Sequence, residues 1–417
     1  MFKIKNLVAL LLLLSSGFYA EELDLQKLTG LALDNNLEIR SLKEMVKTLE
    51  IASRKESTLE EPKFGIGIVN LPVSSFSFVE EDMTMVEFKF MQMLPFPGKL
   101  GLMGLSADFN VKIAVQELGA KKNEIKEKVA KKYYDILYLN KALEISERTK
   151  QLLKSAMAVA DEKYKAGTAM QTDVLKAQVE VSKMGLDINM FKQEKQTSLA
   201  VLSALLFEKK ALTLESTLLE RNRVELSVEI LILKALQNNP ELRMASLQIE
   251  KNKIERNLAA SRLTPDFNLS LSYGLRQDNP ATGMKRAGLV SLMLDMSLPF
   301  LWGGAGFGVQ ENEAEKEVKK SIYENTENNI ISMIKETLSM IFKSRSNLEL
   351  YETGILPQAK QNMDVSLEGY RSGKLDFLAL LDSQMTLYKY EVEYYKELAE
   401  HQRRISEMET LIGGEYK

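Results

Sequence analysis

The sequence predicts a mainly α protein with a few strands suited to a membrane β-barrel. Three observations predict it: a tandem duplication, two alternating strand hairpins, and helical stripes of about 65 residues. The duplication sets the order of all the rest. ALDNNLEIRSL from Ala32 returns as ALQNNPELRMAS from Ala235, so Asn35, Asn36, Glu38 and Arg40 fall on Asn238, Asn239, Glu241 and Arg243 at a shift of 203. Pro62-Lys63-Phe64 meets Pro265-Asp266-Phe267 at the same shift. Leu94-Pro95-Phe96 meets Leu298-Pro299-Phe300 at 204, and Tyr164, Gly167 and Gln178 meet Tyr370, Gly373 and Gln384 at 206. Two repeats, 21–222 and 223–417, are expected, each ordered helix, strand hairpin, long helix, turn, helix.

Residues 1–20 carry Lys3 and Lys5, the apolar run Leu7–Leu14, then Ser15-Ser16-Gly17 and Ala20, the three-part pattern of a secretory signal. Phe18 fits the small-residue rule of the cleavage site poorly. No later stretch reaches the roughly 18 apolar residues of a membrane-spanning helix. From about Leu25 to Leu59 apolar residues recur at three- and four-residue steps and Pro62 closes the segment, so one helix is expected there. In the hairpin 63–94, Phe64, Ile66 and Ile68 alternate with glycines, and Val86, Phe88 and Phe90 alternate with Met85, Glu87, Lys89 and Met91. In the hairpin 266–299, Leu269, Leu271 and Tyr273 oppose Ser270, Ser272 and Gly274, and Val290, Leu292 and Leu294 oppose Ser291, Met293 and Asp295. Strands of about ten residues with one apolar face are also what a tilted barrel strand needs. Long helices over 98–165 and 303–370 come next, with a kink expected at Pro357. Their narrow apolar stripes require sideways packing on other long helices. Helices over 172–206 and 376–412 complete the repeats.

Composition narrows the chemistry. There is no cysteine and one histidine, His401, which removes disulfides, thiolate metal sites and most histidine-based catalysis. A formal net charge of −3 argues against nucleic acid. The glycine run from Gly303 to Gly308 comes after a strand and opens a helix, yet no alternating strand–helix pattern surrounds it. A phosphate-cradling loop is therefore not expected. Pro95, Pro97, Gly98, Pro299, Trp302, Gly303 and Gly304 instead mark the barrel–helix junction, where ladder pairing ends and the backbone redirects. Trp302 suits an interfacial anchor or simple packing. Met85, Met91 and Met93 share a strand face with Glu87 and Lys89, and Met293 lies on the polar face of another strand. A soft-metal contact or plain packing would suit them.

The duplicated order, the paired asparagines, the stretch QMLPFPGK from Gln92 to Lys99 and the Tyr-x-x-Gly turns together resemble the TolC-type outer-membrane efflux channel family. The resemblance covers essentially all of the chain after the leader. It implies a homotrimer whose four strands per protomer close a twelve-stranded barrel in the outer membrane, continuing into a periplasmic helical tube. It implies a passive exit duct, with no catalytic residue and no cofactor. The expected partners are a periplasmic adaptor, an inner-membrane pump of RND type and outer-membrane lipid. QMLPFPGK is similar to the heavy-metal branch. By position, Asp173 and Tyr370 match aperture residues, with Lys374 and Asp376 expected beside them. Leu375 and Ala379 stand where the family pattern has an arginine and a second aspartate. Gly167, Thr168, Ala169, Gly373, Lys374 and Leu375 are the expected adaptor contacts. A non-conducting periplasmic coiled-coil protein is the alternative; it leaves the strand hairpins unexplained.

Overall fold

The structure, a computed structural model, describes residues 24–208, 212, 214, 227–299 and 304–414. The leader and the junction residues Trp302 and Gly303 lie outside the described residues. Among the described residues no helix is long and apolar enough to cross a membrane.

The chain opens with α1 (Leu25–Asn35) and α2 (Leu37–Glu56), so the single helix expected over 25–59 is two. Asn36 is the cause: its backbone is extended (ψ 121°) while its N–H still closes α1 on the Ala32 carbonyl. The matched Asn239 separates α5 (Val228–Asn238) from α6 (Pro240–Ser261) in the same way. Its Oδ1 accepts from the N–H of Glu241 at 2.9 Å and of Leu242 at 3.2 Å, and Pro240 takes the first helical position. The repeated asparagine pair is a helix break in both copies.

Strands β1 (Lys63–Val69), β2 (Met85–Leu94), β3 (Phe267–Leu275) and β4 (Leu289–Met296) form one antiparallel sheet in sequence order, with β1 and β4 at its edges. Register sorts the side chains cleanly. The row Phe64–Phe90–Leu271–Leu292 crosses all four strands on one face. The adjacent row Lys63–Met91–Ser270–Met293 crosses on the other. All four members of the apolar row are exposed, an arrangement water does not favour.

Helix α3 (Lys99–Lys165) runs 67 residues without interruption, roughly 100 Å at 1.5 Å per residue. After a turn comes α4 (Gln171–Leu206). The second long helix is interrupted, as Pro357 led us to expect: α7 (Gly304–Leu350) passes through a π-helical turn, Tyr351–Ile355, into α8 (Leu356–Arg371). Pro357 has no N–H to donate, and the wider turn lets the Leu356 N–H reach Tyr351 instead. Helix α9 (Phe377–Leu411) ends the described chain's regular structure.

Two compact units emerge. One comprises the chain up to Leu37, 122–231 and the chain from Ile334; the other comprises Glu38–Lys121 and Ile232–Met333. Each draws on both sequence repeats, so the repeat divides the chain and the packing divides it differently. The first unit is helical around Ile145, Met184, Tyr370, Phe377 and Leu381. Buried polar bridges fix its register: Tyr388 donates to Asp187 at 3.0 Å and lies 3.1 Å from Ser146 Oγ. Burial chiefly pushes that phenol up to about 12, so it is a neutral strut at any physiological pH. His401 is buried beside Ser344, with Nδ1 and Oγ 2.8 Å apart. The second unit holds the sheet, with Ser53 of α2 donating to Asp108 of α3.

Candidate functional site

The two interhelical turns are built alike. In the first, Gly167 (φ +75°) returns its N–H to Tyr164 at 2.9 Å and Thr168 returns its own to Lys163 at 2.8 Å. In the second, Gly373 (φ +73°) bonds Tyr370 at 3.2 Å and Lys374 bonds Gly369 at 2.8 Å. This is the paired main-chain closure of a Schellman turn, and the left-handed angle explains glycine at both positions. Leu375 then folds back over Gly369, where a Cβ would fall 2.6 Å from the leucine Cδ1.

The turns differ in how the next helix begins. Asp376 caps α9, accepting from the Ala379 N–H at 2.8 Å. Met170 precedes α4 with no side-chain cap, and Thr168 instead donates its hydroxyl back to the Lys163 carbonyl at 3.0 Å. Only the second of these helix starts has a side-chain cap. Asp173 lies in the first turn of α4, where its charge suits the exposed N–H groups of the helix start.

Tyr370 is the centre of the second turn. It is only 8% exposed and meets Phe377 edge to face, with centroids 5.6 Å apart. Lys163 Nζ sits 3.9 Å from the ring centre and also donates to the Tyr370 carbonyl at 3.3 Å. Burial, and then the charge of Asp173, raise the Tyr370 phenol, so it stays protonated. A cavity of about 380 Å³ lies beside it, lined by Val159, Lys163, Met363, Leu367 and Phe377 among others. Asp173 thus bears on Tyr370 through its charge, with no hydrogen bond between them. Asp376 is engaged as a cap, and Lys374 contributes its main-chain N–H. Lys163 was not singled out in the sequence, because its match in the other repeat is Gly369 and the duplication drew attention to Tyr164.

At the strand-to-helix junction, Gly98 (φ +93°) turns the chain after Pro95 and Pro97. Asp266 organises this corner: it accepts from the Phe96 N–H at 3.0 Å and from Lys99 Nζ at 2.6 Å. Burial would raise its carboxyl, but the Lys99 ammonium and the Phe96 N–H outweigh burial and hold it below the usual range. A charge reversal between matched positions, Lys63 against Asp266, was the signal the sequence offered.

A mainly helical chain with a small up-and-down sheet, apolar on one face and polar on the other, belongs to a recognisable class. A family model described as outer membrane efflux protein matches residues 82–206 and 231–414. The chain belongs to the outer membrane efflux protein family; it acts in efflux at the outer membrane and is not an enzyme. Among individual proteins, it is similar to the cobalt-zinc-cadmium resistance protein CzcC of Cupriavidus metallidurans, at 20% identity over 315 residues, 74% of this chain and 72% of that protein. The crystal structure of CusC matches with TM-score 0.77 at 17% identity, covering 94% of this chain and 92% of that one. The outer membrane protein VceC of Vibrio cholerae matches with TM-score 0.76 at 15% identity, covering 94% and 97%.

Proposed function

We propose that this protein is the exit duct of a tripartite efflux system, and that three copies close a twelve-stranded barrel continued by a helical tube through the periplasm. The observation that carries the reading is the four-stranded sheet. Its apolar face is exposed, and its edges, β1 and β4, have no strand partner among the described residues. Four strands cannot close, whereas twelve can, and closure removes every edge while giving the apolar face to lipid. The two sequence halves are read as a tandem duplication that supplies two strands each.

The duct is passive. A pump of RND type in the inner membrane drives the substrate, and a periplasmic adaptor couples pump and duct. Heavy-metal cations are the proposed cargo, supported by the similarity to CzcC and by QMLPFPGK at 92–99. Asp173, Tyr370, Lys374 and Asp376 are proposed to narrow the periplasmic end. Gly167, Thr168, Ala169, Gly373, Lys374 and Leu375 are proposed to meet the adaptor, which must bind the open arrangement more tightly to shift the balance.

The test is single-channel recording in planar bilayers on protein purified from outer membranes, beside its mass in detergent. A trimer with stable openings is expected, and larger openings from Asp173→Ala and Lys374→Ala. A monomeric product that does not conduct would overturn the duct and favour the coiled-coil alternative. Unchanged openings in both variants would remove those residues from the gate.

A further inference from the structure

We propose that the polar face of the sheet carries a soft-cation site made by the thioethers of Met91, Met93 and Met293, with the Asp295 carboxylate beside them, and that it takes monovalent copper or silver ions. The inference rests on the duct reading, because it places this face on the water-filled path.

Register assembles the site. Met91 and Met293 are the two cross-strand neighbours of Ser270, one on each side. In the next row of the same face, Met93 and Asp295 flank Asn268. Adjacent strands lie about 4.8 Å apart, so the two methionines in the first row are separated by a single small residue. Ser270 is only 3% exposed although it lies on the polar face. A serine in that position is covered only when longer neighbours lean over it, and its cross-strand neighbours are the two thioethers. Met85 behaves in the same way further along: a Cβ at Gly274 would fall 2.2 Å from its sulfur.

Packing does not explain these side chains. Met93 is 44% exposed and Met293 53% exposed, on the face opposite the apolar rows. A methionine used as filler is enclosed. Thioether sulfur is a neutral, soft donor that selects monovalent copper or silver over hard cations. The charge around it sharpens the selection. Lys63 is the other cross-strand neighbour of Met91, and Lys89 lies two residues along β2. These two ammonium groups offset the carboxylates of the face, Asp295 beside the sulfurs and Glu87 further along β2, so charge alone does not retain a hard cation and retention depends on sulfur. Modest affinity suits a conduit, since an ion held too tightly does not leave.

Silver is a clean probe because the chain has no cysteine and its one histidine is buried in the helical unit. The full-length protein would be recorded in potassium nitrate, since chloride precipitates silver, while silver nitrate is titrated. Potassium current reports the duct; its reversible reduction by silver reports the site. In the Met91→Leu/Met293→Leu double variant, which keeps side-chain volume nearly constant, half-reduction is expected to need at least about tenfold more silver, a loss of about 1.4 kcal/mol in binding. Met296→Leu, on the apolar face, is expected to behave as wild type. Equal silver sensitivity in the double variant and wild type would overturn the site while leaving the duct intact. If no potassium current is seen, the duct reading fails, and the site is judged on methyl-labelled methionine resonances in detergent. Silver-dependent shifts confined to Met91, Met93 and Met293 would uphold it, and their absence would overturn it.

Discussion

The loops that join the strands and the turns that join the long helices are held differently: the loops also grip each other, whereas the turns close chiefly on their own main chain. Besides bonds within each loop, contacts that span about 200 residues of sequence join loop 70–84 to loop 276–288. Arg286, its side chain 4% exposed, donates to the Val79 carbonyl at 3.1 Å and to Asp82. Arg276 donates to the Asp82 carbonyl at 3.3 Å and to Ala287 at 2.8 Å. The turns at Gly167 and Gly373 close on carbonyls three to six residues back. A loop held by another loop moves only when both let go. A turn that holds itself can travel with its helix at little cost, which is what a dilating aperture requires.

The largest effect expected from this difference is at Arg286. Arg286→Leu removes the buried guanidinium that donates to the part-buried Val79 carbonyl and to the exposed Asp82 carboxylate, hydrogen bonds from a charged donor that are together on the order of 1–3 kcal/mol. Hydrogen exchange should speed up in both loops together, although only one carries the substitution. Acceleration confined to 276–288 would show that the loops are independent and the comparison false.

Between these extremes stands the junction carboxylate. Asp266 is held below the usual range, so its contribution is present above about pH 4 and is lost as pH falls through its lowered folded value. Thermal stability of the wild type should therefore fall more steeply on acidification below pH 4 than that of Asp266→Asn, which is already weaker at neutral pH. Parallel curves for the two proteins would mean that the Lys99 pairing contributes nothing.

How much of the molecule is legible in its sequence divides along the same line between local and distant contacts. Strand faces could be read from alternation because register transmits one period across the sheet: Phe64, Phe90, Leu271 and Leu292 are apolar and share a row. Turn glycines were legible because a positive φ is a local demand. The Asn36 break was missed because the apolar stripe continues through it, and periodicity does not register a single extended residue. Arg286, Lys163 and Asp266 were missed for a different reason. Each takes its meaning from partners roughly 170 to 210 residues away, and a charged residue without its partner in view reads as surface.

The smallest effects belong to the turns themselves. Asp376→Ala removes the α9 cap and should cost about 1 kcal/mol, seen as faster exchange in the first turn of α9 and nowhere else. Lys163→Leu removes both the contact with the Tyr370 ring and the hydrogen bond to the Tyr370 carbonyl, on the order of 1 kcal/mol, while leaving the Schellman bonds intact. It should therefore change how often the duct opens more than it changes thermal stability, because the lysine ties α3 to the turn after α8 while the main-chain bonds that close both turns do not involve its side chain. If Lys163→Leu instead unfolds the tip, with exchange rising through both turns, then the turns are not self-sufficient. The gate would then have to be sought in the packing of Tyr370 on Phe377 rather than in the charged residues around it.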